Sequence, residues 1–342
     1  MSSQPYPPSF VDRLMGFVQR LPIPYLSTYF LLFLFDSALF HIVAWVDGWL
    51  PAYQFSRFAV MFPMWLWGPL AIMTYLNSVS VEALTNFRPL VDIPDETMGH
   101  LKYEFKTMPA RAVILSGAVW TIVYVVFTSL ALESMYASYG FGRLAEVTNI
   151  VRGWISFFIG SAFYYHTIRQ LRLVNRTVRT VKQFDLFQLE PVYAFSALTS
   201  RTGVSWVILI SLTLLTAPIQ AAPFPTLALL VVQLVLGIAA FVLPLRTVNS
   251  RLAAEKRRLL AELGQRVKGT LAGLHRCLDD NSLAEVAQLN SAIVGLNAER
   301  DILTKIPTWP WRAGMLTGFL SIVVLPIMLF ILQLVLARWF GS

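Results

Sequence analysis

Seven stretches of the chain are apolar over lengths that suit a membrane helix, at about 25–46, 58–79, 112–132, 151–168, 203–219, 224–245 and 313–337. A hydrocarbon core about 30 Å thick needs roughly 20 apolar helical residues, and each stretch meets or approaches that length. Outside them the pattern changes. Between Phe10 and Leu21 the apolar positions Phe10, Val11, Leu14, Met15, Phe17, Val18 and Leu21 recur at helical spacing. They predict an amphipathic helix that either lies along the membrane surface or packs on its own bundle. From Leu252 to Leu278, leucines and one valine follow three- and four-residue steps, and after Asp279-Asp280-Asn281 a second stripe runs through Leu283, Val286, Leu289, Ile293, Leu296 and Leu303. Two amphipathic helices joined by a polar turn predict a helical hairpin. Ser282 and Glu285 have the spacing of a capping box, and Asp95 after Pro94 that of a cap on a helix from Glu96 to Met108.

The fold class these patterns predict is all-α: a polytopic membrane protein with seven transmembrane helices and cytoplasmic helical extensions. Its parts are an amino-terminal segment over 1–24, a six-helix membrane domain over 25–245, a hairpin over 246–306, and a hinge with the last crossing over 307–342. Within the membrane domain the fourth helix extends into the cytosol over about 169–200.

Composition agrees, with 56% hydrophobic residues, 13% charged residues and a mean hydropathy of +0.61, well away from soluble averages. Charge adds an orientation. All of the 27 Lys and Arg residues except Arg57, Arg143, Arg152 and Arg338 fall in four segments that alternate with the apolar stretches. Cytoplasmic loops retain Lys and Arg, so the amino terminus is expected inside and the carboxyl terminus outside, in a plasma membrane or bacterial inner membrane. The formal charge of +8 then sits on one face, where anionic headgroups account for it without nucleic acid. The bilayer is the first expected partner. Residues 1–24 lack the compact apolar core of a cleavable signal, and the single cysteine, Cys277, leaves no intramolecular disulfide.

Catalytic patterns are not found. His41, His100, His166 and His275 are dispersed without metal-ligand spacing, and there is no Walker loop, GxSxG elbow or GxGxxG after a strand. The expectation is of a protein that is not an enzyme and holds no metal or cofactor. Asp36 lies near the middle of the first crossing, where an ionisable group is costly and marks a functional candidate; the alternative is a hydrogen-bonded structural carboxylate. His41, five residues on, is about 140° around the helix, so the two do not share a face. Trp120 and Tyr124 in the third crossing, with Trp154 and Phe158 in the fourth, either line a pocket for a small apolar ligand or simply pack. Arg169, Arg172, Arg176, Arg179 and Lys182 share one helix face. That face suits lipid headgroups or acidic partners; a voltage sensor is the sharper alternative, but the apolar run precedes the arginines instead of containing them.

Pro307 and Pro310 forbid a continuous helix between the hairpin and the last crossing, and Trp309 and Trp311 suit the bilayer interface. These four residues predict a hinge. Beyond it Thr317, Ser321, Leu325, Met328, Leu332 and Val335 lie near one helix face, with Gln333 toward the outer end. Such a face either lines a pore, gating by dewetting, or packs on neighbouring helices of the same chain.

This layout, with prolonged fourth and sixth helices and a seventh split into cytoplasmic and membrane halves, resembles the insect gustatory and odorant receptor ion channels and their wider seven-transmembrane channel superfamily. That family carries Thr-Tyr, five apolar residues, then Gln-Phe near the outer end of its last helix. Here Pro326-Ile327, Met328 to Leu332 and Gln333-Leu334 have the same spacing, and the glutamine is shared. The resemblance implies a homo-oligomer, tetrameric by preference, anchored by its cytoplasmic helices, with the last helix lining the pore of a ligand-gated non-selective cation channel. A non-conducting sensor or scaffold whose hairpin binds a partner, and an ion-coupled transporter using Asp36, stand as the alternatives.

Overall fold

Helices form where the apolar stretches lie. The structure is a computed structural model that describes residues 5–139, 142–181, 184–216, 223–280, 282–310 and 314–340. Among the described residues there are eleven α-helices and no strand. In chain order they are α1 (Phe10–Gln19), α2 (Tyr25–Val46), α3 (Met61–Phe87), α4 (Asp95–Lys106), α5 (Ala110–Tyr139), α6 (Arg143–Gly160), α7 (Ala162–Thr180), α8 (Glu190–Thr216), α9 (Pro223–Asp279), α10 (Leu283–Lys305) and α11 (Met315–Phe340). Five helical stretches are long and apolar enough to cross a membrane: Tyr25–Val46, Phe58–Leu90, Ala110–Leu130, Glu190–Thr216 and Leu227–Asp279. A shorter apolar stretch, Thr317–Leu332, lies within α11.

The fourth predicted crossing differs from an unbroken helix. α6 and α7 meet at Ser161, whose carbonyl accepts from the Tyr164 N–H at 3.0 Å, three residues on. This is a single tight turn of 3-10 type between two α-helices. The join sits where α6 approaches α3 closely: a Cβ on Gly160 would lie 2.2 Å from the Trp65 carbonyl oxygen.

α1 packs on its own bundle. Ser9 and Asp12 form a reciprocal capping box, and Val11, Met15 and Val18 are buried while Phe17 stays 62% exposed. The Asp12 carboxylate also accepts from the Met108 N–H at 2.9 Å, so the same side chain caps α1 and ties it to the start of α5. Two caps read from sequence are not made. Asp95 is the first residue of α4, not its cap, and instead pairs with Arg88 at 2.5 Å. Ser282 occupies the cap position of α10 without a side-chain bond, and the Glu285 carboxylate accepts from Cys277 Sγ at 3.3 Å.

Buried side chains form two main cores. One, at mid-bundle, gathers Tyr29, Leu70, Met73, Leu76, Phe163 and Trp206. The other lies toward the amino end of α8 and joins Phe87, Phe105, Val178, Phe195, Val248 and Leu252, with Phe87 and Phe195 ring centroids 4.4 Å apart. No boundary separates the sixth apolar stretch from the hairpin. α9 runs unbroken for 57 residues, about 85 Å at 1.5 Å per residue. Pro244 inside it is accommodated because Phe241, Leu245, Val248 and Leu252 are all buried, and their packing outweighs the lost backbone bond. α10 packs back along α9 as the hairpin requires.

Candidate functional site

Asp36 faces Arg152. The guanidinium of Arg152 on α6 donates to the Asp36 carboxylate and, at 2.7 Å, to the Asp36 backbone carbonyl. Trp67 Nε1 on α3 donates to the same carboxylate at 3.2 Å, and the guanidinium lies 5.0 Å from the Phe40 ring centroid. With side chains only 21% and 11% exposed, the pair is neutral as a unit and hydrogen-bonded on both sides. The carboxylate is thus hydrogen-bonded and ion-paired within the chain. Reading the sequence missed Arg152 as its partner, though the signal was present: Arg152 falls within the fourth predicted crossing, an ionisable group of opposite sign inside an apolar stretch.

His41 makes its own contacts, apart from Asp36. Its Nδ1 is 2.8 Å from the Ser37 carbonyl and its Nε2 accepts from the Ser56 N–H at 3.2 Å. The two bonds together require the tautomer with the proton on Nδ1. Just past the end of α2, Asp47 caps α6, accepting from the N–H groups of Leu144 at 3.1 Å and Ala145 at 3.0 Å.

The aromatic candidates divide among different surroundings. Trp120 stacks on Tyr164 with centroids 4.0 Å apart and lines an open, almost wholly apolar groove of about 390 Å³ with Phe127, Phe157, Leu229 and Val232. Tyr124 is buried behind it, stacked on Phe157 at 4.7 Å. Trp154 is a little under half exposed, and Phe158 stacks on Phe10 of α1 at 5.7 Å. Trp120 and Tyr124 therefore share a neighbourhood through Phe157, which Asp36, His41, Trp154 and Phe158 do not join. Polar residues that sequence patterns did not single out sit close by: Gln233 on α9 donates to the Tyr164 hydroxyl at 3.2 Å, and His166 Nε2 meets Asn77 Oδ1 at 2.9 Å.

Two arginines of the α7 stripe, Arg169 and Arg176, are held by the rest of the protein, while Arg172 and Arg179 are exposed. Arg169 donates to the Tyr6 hydroxyl at 2.5 Å and to the Glu104 carbonyl, and Arg176 pairs with the Glu104 carboxylate. Burial pushes the Tyr6 phenol up, with Arg169 opposing it. Lys182 lies outside the described residues. Charges fixed this way serve as ties between α7, α4 and the amino-terminal segment.

At the hinge, α10 ends at Ile306, whose extended backbone precedes Pro307. Lys256 Nζ donates to the carbonyls of Thr304 at 2.7 Å and Ile306 at 2.8 Å, satisfying the helix end from α9. Pro310 is buried, and its carbonyl accepts from Ser196 Oγ of α8; Trp309 is just over one-third exposed. Gly314 restarts the chain toward α11 with φ +83°, a left-handed conformation that suits glycine. Trp311 and the side chain of Gln333 lie outside the described residues.

α11 packs through one side. Phe319 stacks on Phe241 of α9 with centroids 4.0 Å apart and lies where a Cβ on Gly203 of α8 would come within 2.7 Å; Pro326 is also buried. The opposite side carries Thr317, Ser321, Leu325, Met328, Leu332 and Val335, all exposed. Packing of that face within the chain, one of the two expectations, is not what the structure has. No family model, curated protein or solved structure matches the chain.

Proposed function

We propose that the chain is one subunit of a homo-oligomeric membrane channel, tetrameric by preference, with its amino terminus inside and its carboxyl terminus outside. The helices α2, α3, α5, α6 with α7, α8, the first part of α9, and α11 make seven crossings. The Thr317 to Val335 face of α11 lines a shared path. The observation that carries this reading is the uncovered face of α11, opposite the Phe319 and Pro326 side that its own chain packs.

A second feature supports assembly. α9 is far longer than a hydrocarbon core about 30 Å thick, so the α9–α10 hairpin stands clear of lipid. Yet Leu271, Leu278, Val294 and Ile302 on it are exposed. Apolar side chains spaced along a helical surface in water favour coverage by another chain, and further copies of the same hairpin would provide it.

Recording from purified protein in planar bilayers, with particle mass measured on the same sample, tests the reading. Conductance from an oligomer is expected. A strictly monomeric particle, or an oligomer silent at every voltage, overturns it. The exposed hairpin equally favours a non-conducting scaffold, which deletion of 251–305 separates: a scaffold keeps its assembly and loses a partner, whereas the channel loses its assembly. The transporter reading is separated by Asp36→Asn, which would abolish uptake while leaving assembly intact.

A further inference from the structure

A second apolar groove, about 380 Å³, runs between α2, α3 and α8, with Leu26, Phe30, Phe33, Trp67, Ala71 and Leu212 among its walls. Three side-chain bonds fix how these helices are aligned. The Tyr29 hydroxyl meets Thr74 Oγ1 at 3.1 Å, Trp67 Nε1 reaches Asp36 at 3.2 Å, and Trp65 Nε1 donates to Thr213 Oγ1 at 3.0 Å. Counting from them, the groove's two ends, at Leu26 and at Val60 with Thr216, are about 25 Å apart along the helix axes at 1.5 Å per residue. That is most of the depth of a hydrocarbon core.

The Leu26 end has a polar cluster beside it. By the same register Arg201 of α8 lies level with Leu26, and three helical turns separate it from Leu212 on the same face of α8. Its guanidinium is 6.0 Å from the Tyr75 ring centroid, and Tyr75 continues the Gly68–Ala71 face of α3. Glu82, two turns further along α3, approaches Arg201 only to 4.0 Å, and both side chains are substantially exposed. Such a pair contributes little by itself and leaves both charges open to a ligand. From the groove outward the order is therefore apolar channel, cation, then anion.

We propose that this groove with Arg201 and Glu82 binds an aminophospholipid of the inner leaflet, phosphatidylethanolamine being the headgroup that fits. One acyl chain lies along the groove, the phosphate meets Arg201 and the ammonium meets Glu82. In such a lipid the phosphate is attached nearer the chains than the ammonium, which is the order of the two side chains. Guanidinium–phosphate and ammonium–carboxylate contacts are both charge-assisted. The site rests on the membrane placement and orientation proposed above; it does not depend on the α11 pore.

The test uses the full-length protein in nanodiscs containing phosphatidylethanolamine or phosphatidylglycerol, each with a photoactivatable acyl chain, and maps labelled peptides by mass spectrometry. The expected result is labelling of α2 and α3 at Phe30, Phe33 and Ala71, stronger with the ethanolamine lipid. Arg201→Gln lowers that labelling roughly tenfold with both lipids, the scale of one charge-assisted contact. Glu82→Gln brings the ethanolamine lipid down to the level of the glycerol lipid. Ala71→Phe, which fills the groove, removes labelling while leaving Arg201 in place. Both charged positions are exposed, so their variants fold as the parent does. Equal labelling by the two lipids overturns the ammonium contact, and labelling unchanged in Arg201→Gln overturns the site. Release of the protein from membranes by alkaline washing would instead overturn the membrane placement, so the two failures are distinguishable.

Discussion

The Arg152 guanidinium bonds both the carboxylate and the backbone carbonyl of Asp36, fastening the middle of α2 to α6 at a depth where neither charge would be stable alone. Removing one member leaves the other buried and uncompensated, which costs about 3–5 kcal/mol. Arg152→Met and Asp36→Leu are each expected to lower the melting temperature in detergent sharply. The double variant, which replaces the pair with apolar volume, is expected to recover most of that loss. A double variant no more stable than either single one would mean that the pair's hydrogen bonds, and not its charge balance, hold α2 in place.

Asp12 gives a pH dependence with a definite sign. Burial pushes its carboxyl up from the ordinary value of 3.8, opposed by the bonds from Ser9 and Met108. All three of those donors use Oδ2, and Oδ1 is buried without a partner, so Oδ1 can take a proton without disturbing them. A carboxyl that holds its proton more tightly folded than unfolded adds stability as pH falls through the folded value. That gain is complete only below the unfolded value of about 3.8. The contribution is absent at neutral pH. Asp12→Asn keeps an acceptor at the cap and removes the titration. The difference in melting temperature, parent minus variant, is therefore expected to rise as the buffer is acidified toward that value.

The two levels of structure were unequally legible in the sequence. Apolar length and periodicity were sufficient for the helices, because a continuous apolar stretch such as Tyr25–Val46 and the three- and four-residue steps of the Leu283 to Leu303 stripe each suit a helix whether or not its own chain buries it. It could not supply the break at Ser161 or the continuity through Pro244, since each depends on a neighbouring helix: Trp65 against Gly160 in one case, the packing of Phe241 and Leu245 in the other. The same limit explains the caps. Asp95 and Ser282 have suitable local spacing, but Arg88 takes the first for an ion pair, and Cys277 occupies the Glu285 carboxylate that would complete the second. Asp36 was visible as an ionisable residue at mid-span. The bond to Arg152, more than a hundred positions away in sequence, required the fold.

α8, α9 and α11 meet at Gly203. A methyl group there would sit 2.7 Å from the Phe319 ring and 3.2 Å from the Gly237 carbonyl, and neither the backbone carbonyl nor a ring stacked on Phe241 can move away freely. Gly203→Ala is expected to cost about 1–3 kcal/mol as overpacking and to loosen α11 before the rest of the bundle. Hydrogen exchange resolved by peptide should find faster exchange in 315–340 with α3 unchanged. Pairing the change with Phe319→Leu, which shortens the obstructing side chain, should restore protection in α11.

The glycines of the hairpin distinguish a free helix from a covered one. Gly264 and Gly269 lie in the last third of α9, well inside its end, and a Cβ on either meets nothing within 4 Å inside one chain. Alanine at such a position stabilises a helix by up to about 1 kcal/mol relative to glycine. In detergent that keeps the chain monomeric, Gly264→Ala and Gly269→Ala are each expected to raise the hairpin's resistance to urea by that order. In the assembled protein the outcome depends on what faces them. Where a second copy packs closely over α9, an added methyl group meets the neighbouring hairpin, and the gain shrinks or reverses while the fraction of oligomer falls. A scaffold whose hairpin is free in water shows the full gain in both states. Urea unfolding of the two variants, compared with the parent in monomeric and assembled samples, therefore reports whether the α9 glycines are there to admit another chain.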